Sequence, residues 1–203
     1  LAANVAVAIF WNMGENCSAG SRMIVHRSVK DRVIEAIRAE LDANWPVGDP
    51  LDPATRIGAL INRAHMEKVL GYVETGKREG ARVVAGGERI LAETGGWFVP
   101  PTIFDNVRND MTIAREEIFG PVLSVIEFET EAEAVAIAND TPYGLAASLY
   151  TDDLNVAHRV ARNLKAGVVG VNAYSEGDMT TPFGGYKLSG FGGHDKSVHA
   201  HDQ

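Results

Sequence analysis

The sequence predicts an α/β fold: an open, mostly parallel sheet flanked by helices. Three observations carry this. Short β-branched or apolar runs alternate with amphipathic segments of roughly four turns. Capping residues and glycines stand at the borders of those segments. Hydrophobic residues make up 45% of the 203 positions and charged residues 23%, enough apolar material for a packed core, with no internal repeat or low-complexity stretch.

From the amino terminus, LAANVAVAIFW has a helix-like apolar pattern that starts at Leu1 without a methionine, so the chain is expected to continue a longer polypeptide. GENCSAGSR then forms a loop of small and turn-forming residues around Cys17. RMIVHR reads as a short strand with Met23 and Val25 on one face. VKDRVIEAIRAELDANW reads as a helix, with Val33, Ile34, Ile37 and Leu41 at helical spacing and an approximate capping box of Ser28 and Asp31. PVGDPLDP is a turn-rich connector. A second helix is expected from about Asn62 to Lys77, closed by Gly80, and ARVVAGG is the strand after it.

GWFVPPTIFDNV is extended and irregular, because its two prolines exclude a central helix. GPVLSVIEF is a strongly β-branched strand, and TEAEAVAIAND a helix opened by the capping pair Thr130 and Glu133. GLAASLYT is the next strand. DDLNVAHRVARNLKAG follows as a helix with Leu154, Ala157, Val160, Ala161 and Leu164 facing inward and Gly167 as its stop. VVGVN is a buried strand, and the glycine-rich end PFGGYKLSGFGGHDKSVHAHDQ reads as a structured loop followed by a surface segment.

The formal net charge of -8 is spread over segments of mixed sign, which argues against a nucleic acid or an anionic membrane as partner. A single cysteine cannot form an internal disulfide and suits a reducing compartment. No apolar run reaches the roughly 18 residues of a membrane helix, and no signal peptide is recognisable. These features predict a soluble cytoplasmic protein.

The chemistry centres on Cys17. Thiolates attack carbonyl carbons, yet a free cysteine ionises only near about pH 8.5, so a nucleophilic Cys17 needs a base or a positive dipole beside it. Ser18, Ala19 and Gly20 are small enough to let a carbonyl approach backbone N–H groups that stabilise an oxyanion. Composition alone favours a small buried hydrophobe. The polar, glycine-flanked setting weakens that reading without reversing it.

GENCSAGSR resembles the cysteine signature of the NAD(P)-dependent aldehyde dehydrogenases, with Gly14, Glu15 and Asn16 preceding the nucleophile. REEIFGPVLSV resembles the second signature of that family. GVVGVNAY followed by TPFGGYKLSGFG resembles the third, in the family's order and at about its separations. ANDTPYGLAASLYT and WFVPPTIFDNV match further segments, so the resemblance covers nearly the whole chain.

The resemblance implies that residues 1–203 form the cysteine-bearing catalytic domain, with the amino-terminal cofactor-binding domain and the carboxy-terminal oligomerisation strand absent from the chain. Cys17 would attack an aldehyde to give a thiohemiacetal, hydride would pass to NAD or NADP, and water would open the resulting thioester. The Cys17 N–H would supply part of the oxyanion hole. Glu117 would hold the nicotinamide ribose hydroxyls, and Phe119 would pack near the nicotinamide ring. Trp11, Asn16, Ser18, Asn172, Asp178 and Phe183 would face the substrate, with Tyr174 beside Asn172 beyond the carboxyl end of a strand. Read without the resemblance, a solvated charge beside Arg115 and Glu116 is the favoured reading of Glu117, Phe119 is equally a core phenylalanine, and Trp11 could simply be core.

More narrowly, EGDMTTPFGGYKLSG and HDKSVHA are similar to the branch acting on gamma-glutamyl-gamma-aminobutyraldehyde and related aminoaldehydes. Glu176 and Asp178 would suit a cationic or amide-bearing tail, or belong to a polar loop facing water. Betaine aldehyde, succinate semialdehyde and simple aliphatic aldehydes are the alternatives. The family's general-base glutamate and oxyanion asparagine lie upstream of the cysteine, so the isolated chain is expected to have no turnover. The full-length enzyme is expected to be a homo-oligomer, a dimer or tetramer.

Three rival readings use other residues. A thiol hydrolase would pair Cys17 with a histidine, His26 being the nearest in sequence. A metal module would use His194, His199 and His201, but no cysteine or carboxylate cluster completes a four-ligand set, so no metal is expected. A non-catalytic oligomerisation fragment is the third.

Overall fold

The computed structural model describes residues 1–174, 179–191, 196–198 and 200. The chain divides into two compact units, Ala2–Glu129 and Thr130–Gln203, the latter grouped with Leu1. The α/β class, with mainly parallel strands flanked by helices, is as the sequence predicts.

In the first unit, α1 (Ala2–Phe10) buries Val5, Ala6, Ile9 and Phe10, a stripe at helical spacing. After β1 (Arg22–His26), α2 (Lys30–Asn44) buries Ile34, Ile37 and Leu41. These side chains meet Val25, Ile57, Ile103, Leu123 and Val125 in one apolar cluster. The expected Ser28 cap is not made. Val29 is the residue at the start of α2 and no side chain caps it. A turn follows β1 directly and brings the Ser28 hydroxyl to 2.7 Å from Nδ1 of His26 instead.

α3 (Arg63–Arg78) starts where Asn62 Oδ1 accepts from the His65 N–H at 2.9 Å, and Gly80, at φ 97, lies just past its end. β2 (Arg82–Ala85) and β3 (Thr102–Asp105) follow, then the single turn α4 (Thr112–Arg115) and β4 (Val122–Phe128). The sheet order is β1-β4-β3-β2, with β1, β4 and β3 parallel and β2 antiparallel at the edge. Central β4 is buried from Val122 to Ile126, which explains a near-continuous apolar run where an alternating one would mark a half-solvated strand.

In the second unit, Thr130 caps α5 (Glu131–Asn139) by accepting from the Glu133 N–H. β5 (Ala146–Leu149), α6 (Leu154–Asn163) and β6 (Val168–Val171) form a strand-helix-strand unit with the two strands parallel. Asp153 caps α6 through bonds from the Asn155 and Val156 N–H groups. Of the residues expected to face inward, Ala157 is buried while Leu154 is 71% exposed, because it occupies the first turn beside the cap. Gly167 is not the helix stop. α6 ends at Asn163, and a Cβ at Gly167 would stand 1.7 Å from the Gly184 carbonyl oxygen, so glycine there permits close contact between loops. No helix among the described residues is long and apolar enough to cross a membrane.

Candidate active site

Two segments far apart in sequence reach the same end of neighbouring strands in the first unit's sheet, and strand register is the cause. β1 and β4 are adjacent and parallel, with Arg22 paired to Ser124. Cys17 precedes Arg22 by the same number of residues as Phe119 precedes Ser124. Both motifs therefore lead into the amino-terminal ends of neighbouring strands.

The approach to Cys17 is a left-handed turn. Asn12 (φ 50), Met13 (φ 55) and Gly14 (φ 71) follow one another in positive-φ conformations. A non-glycine residue in that region costs about 1–3 kcal/mol, so the surroundings must hold it. At Gly14 only glycine fits, since a Cβ would lie 2.3 Å from the Gly120 carbonyl oxygen. The cysteine loop thus lies directly against the Gly120–Pro121 backbone, which follows Glu117 and Phe119 in the chain. Beyond the turn, Asn12 Nδ2 donates to the Glu15 carbonyl at 2.9 Å and the Gly20 N–H to the Ala8 carbonyl at 2.8 Å, which ties the loop back to α1.

Cys17 is exposed, as the resemblance implies for a nucleophile, and not the small buried hydrophobe that composition alone favours. Its Sγ is 3.8 Å from Asn16 Oδ1, and Asn16 Nδ2 donates to Ser18 Oγ at 3.0 Å, with Ser18 itself buried. Asn16 and Ser18 thereby fix the shape of the loop on either side of the thiol. His26 does not reach this region. It lies at the other end of β1, roughly 13 Å along the strand from Arg22, where it packs edge-on against Phe128.

Helix α3 holds the second segment like a bracket. His65, Lys68, Val69 and Tyr72 fall on one helical face. His65 Nε2 lies 2.6 Å from the Phe119 carbonyl oxygen, Lys68 Nζ donates to the Glu117 carbonyl at 3.3 Å, and the Tyr72 hydroxyl donates to Glu116 at 2.8 Å. Val69 packs on Gly120, where a Cβ would come within 2.6 Å of its methyl group. At the far end of α3, the Glu79 carboxylate accepts from both the backbone N–H and the hydroxyl of Thr112, which sets the start of α4. Phe119 is itself left-handed, at φ 59. None of these α3 contacts is marked by a local motif; the Asn62 cap that places His65 in the first turn is the only sequence signal.

Glu117 and Phe119 are exposed and alternate with buried Ile118 and Gly120, so a carboxylate and a ring are presented side by side. That carboxylate and flat ring, lying on the segment that abuts the thiol loop, fit a ligand with neighbouring hydroxyls and an aromatic ring, as the ribose and nicotinamide of NAD(P) offer.

The other expected site residues are divided between the two units. Trp11 is 56% exposed and lines an open cleft of about 780 Å³ with Val7, Trp45 and Arg56; Cys17, Glu117 and Phe119 do not line it. In the second unit, Asn172 follows β6 at φ 56 and its amide clamps Thr151, accepting from its N–H and donating to its carbonyl, each at 2.9 Å. Phe183 is buried, with Lys196 Nζ 5.0 Å from its ring centroid. Glu176, Asp178, His194, His199 and His201 lie outside the described residues. Among the described residues, no cluster of His, Cys, Asp and Glu could hold a metal ion.

Comparison with known proteins agrees with this geometry. The model of the aldehyde dehydrogenase family matches residues 1–203. The chain is 54% identical over 203 residues to the aminoacetaldehyde dehydrogenase of Pseudomonas aeruginosa, covering all of this chain and 40% of that protein. An indole-3-acetaldehyde dehydrogenase solved with NAD+ superimposes with a TM-score of 0.96 at 57% identity, covering 99% of this chain and 40% of that one. The gamma-glutamyl-gamma-aminobutyraldehyde dehydrogenase of Burkholderia cenocepacia gives 0.93 at 56% identity, covering 98% and 40%. The chain thus spans about 40% of the length of these relatives. With the family model matching from end to end and a relative 54% identical over all 203 residues, the chain belongs to the aldehyde dehydrogenase family.

Proposed function

We propose that this chain is the catalytic portion of an NAD(P)-dependent aldehyde dehydrogenase, in which Cys17 is the nucleophile. One observation carries the reading. The exposed thiol lies on a loop whose backbone abuts the segment bearing exposed Glu117 and Phe119. Cys17 Sγ, as thiolate, bonds to the aldehyde carbon to form a thiohemiacetal. The oxygen made anionic by that attack is met by the Cys17 N–H, and removal of one such donor costs about 2.7–4 kcal/mol of transition-state stabilisation. Glu117 and Phe119 would hold the cofactor, whose chemistry there would be to take up the hydride from the substrate carbon. The thioester left on Cys17 is opened by water to release the acid and free the thiol. Asn16 and Ser18 keep the thiol aimed, and Trp11, Asn172, Asp178 and Phe183 border the substrate.

The substrate we propose is an aminoaldehyde, such as gamma-glutamyl-gamma-aminobutyraldehyde. Similarity above 50% identity to proteins named for aminoacetaldehyde and for that compound supports this choice, as does the acidic pair Glu176 and Asp178. We place the full enzyme in the cytoplasm as a homo-oligomer. The test is an aldehyde panel, with NAD and NADP in turn, on the polypeptide as its host makes it. Aminoaldehydes should give the highest kcat/KM. Equal rates for aminoaldehydes and simple aliphatic aldehydes would remove the substrate assignment, and no NAD(P)H from any aldehyde would remove the activity.

A further inference from the structure

We propose that His65 is a positioning residue that locks the nucleophile loop and the cofactor-side segment into a single geometry. The inference rests on the reading of Cys17 as nucleophile and of Glu117 and Phe119 as the cofactor side.

The imidazole touches both segments with one atom. Nε2 is 2.6 Å from the Phe119 carbonyl oxygen and 3.3 Å from Oε1 of Glu15. A carbonyl oxygen can only accept, so Nε2 carries a proton and donates. Glu15 stands two positions before Cys17 in the loop, and its Oε1 also accepts from the Ile61 N–H at 3.2 Å, at the head of α3. The side chains of His65 and Glu15 are 14% and 13% exposed, so little water is available to replace these bonds.

Phe119 needs such a hold more than its neighbours do. It is a bulky residue at φ 59, a conformation that persists only where the surroundings over-determine it. His65 restrains it twice, through the carbonyl and through an edge-on ring contact at 6.4 Å and 71°. His65 is in turn fixed by its own N–H, which the Asn62 side chain accepts at the start of a 16-residue helix. The left-handed turn at Asn12–Gly14 on one side and left-handed Phe119 on the other are therefore joined through one ring. A cut at His65 releases both segments together, although neither contains it.

The experiment compares His65→Gln, His65→Asn and His65→Ala in the polypeptide as its host makes it. A glutamine amide nitrogen reaches the position of Nε2, whereas an asparagine amide is too short; both residues are equally acceptable in a first helical turn. Amide hydrogen exchange, read by mass spectrometry without cofactor or aldehyde, reports the two segments directly. The expected result is that His65→Ala and His65→Asn speed exchange in both the 12–20 and 116–121 peptides by about tenfold, and that His65→Gln restores both. In turnover, the alanine and asparagine variants should raise the cofactor KM by about tenfold with a smaller fall in kcat, and glutamine should return KM to within about threefold.

Equal behaviour of the glutamine and asparagine variants, or faster exchange in only one of the two peptides, overturns the proposal. Retained turnover in Cys17→Ala instead overturns the assignment of the nucleophile. The exchange data need no catalysis, so the two failures are distinguishable.

Discussion

The two units read alike in sequence but differ in how much they bury. Both alternate strands with amphipathic helices, yet the side chains with almost no exposure, such as Phe10, Ile37, Ile103, Phe104 and Leu123, all belong to Ala2–Glu129. From Thr130 onward, the buried apolar residues among those described are Leu149, Ala157 and Phe183. A four-stranded sheet with helices against it encloses a core, whereas a two-stranded parallel pair has too little surface to do so. The proposed nucleophile and cofactor residues stand on the heavily packed unit. Left-handed conformations at Met13 and Phe119 are affordable there because rigid neighbours oppose their relaxation.

This contrast can be broken by substitution, and the largest expected effect lies in the first unit. Phe104→Ala should cost about 3–5 kcal/mol by urea unfolding, because the ring is fully enclosed and its cavity cannot collapse. A loss under about 1 kcal/mol would mean that the core is not packed as described. Next comes Asp105, fully buried and bonded by Arg82 at 2.6 Å, by Lys30 at 3.1 Å and by the Asn106 N–H at 2.7 Å. Burial pushes its carboxyl up, but the Arg82, Asn106 and Lys30 bonds together outweigh that and leave it below the usual carboxylate range.

A carboxylate so depressed contributes stability in full above its unfolded value of about 4, and that contribution is lost as pH falls through the folded value. The unfolding free energy should therefore drop on acidification below about pH 4, and Asp105→Asn should flatten this dependence while weakening the fold at neutral pH. An unchanged acid limb in the variant would contradict the assignment.

In the second unit the changes should be smaller. Leu149→Ala is expected near the low end for such substitutions, about 2 kcal/mol, because the site is at the edge of burial and can relax. Asp153→Ala should cost about 1 kcal/mol by removing the cap of α6. Hydrogen exchange sharpens the comparison further. β3 and β4 should exchange at the slow limit set by global unfolding, and β5 and β6 well before it. Equal protection in the two pairs would show that the units do not differ in the way their burial indicates.

Local signals made much of this legible. Asn62, Thr130 and Gly80 mark helix ends through backbone hydrogen bonds or a required positive φ, so the residue type itself reveals the geometry. Ser28 and Gly167 show the limit of such signals: each is the right type near the right place, but Ser28 is taken by a local turn that pairs it with His26, and Gly167 by close contact with the distant Gly184. The antiparallel edge strand β2 was equally hidden, since pairing direction depends on where the chain returns. At the site, the polar loop around Cys17 only weakened the buried reading and the family signature supplied the rest, whereas the role of α3 as a bracket had no signal of either kind. His65, Lys68 and Tyr72 read as ordinary positions on a polar helix face until register brings Glu116–Gly120 beside them. The site also lies before the amino ends of β1 and β4, opposite to the strand ends where ligands of open α/β sheets usually bind.

The central claim is that Cys17 carries the acyl group between attack and release. The most direct measurement is an acid quench of the polypeptide as its host makes it during turnover of an aldehyde with NAD+, followed by peptide mass spectrometry. The account predicts an acyl mass on the peptide containing Cys17, its absence in Cys17→Ser, and a loss of turnover in that variant by several orders of magnitude. Wild-type turnover in Cys17→Ser, with no acyl mass on the native peptide, would contradict it.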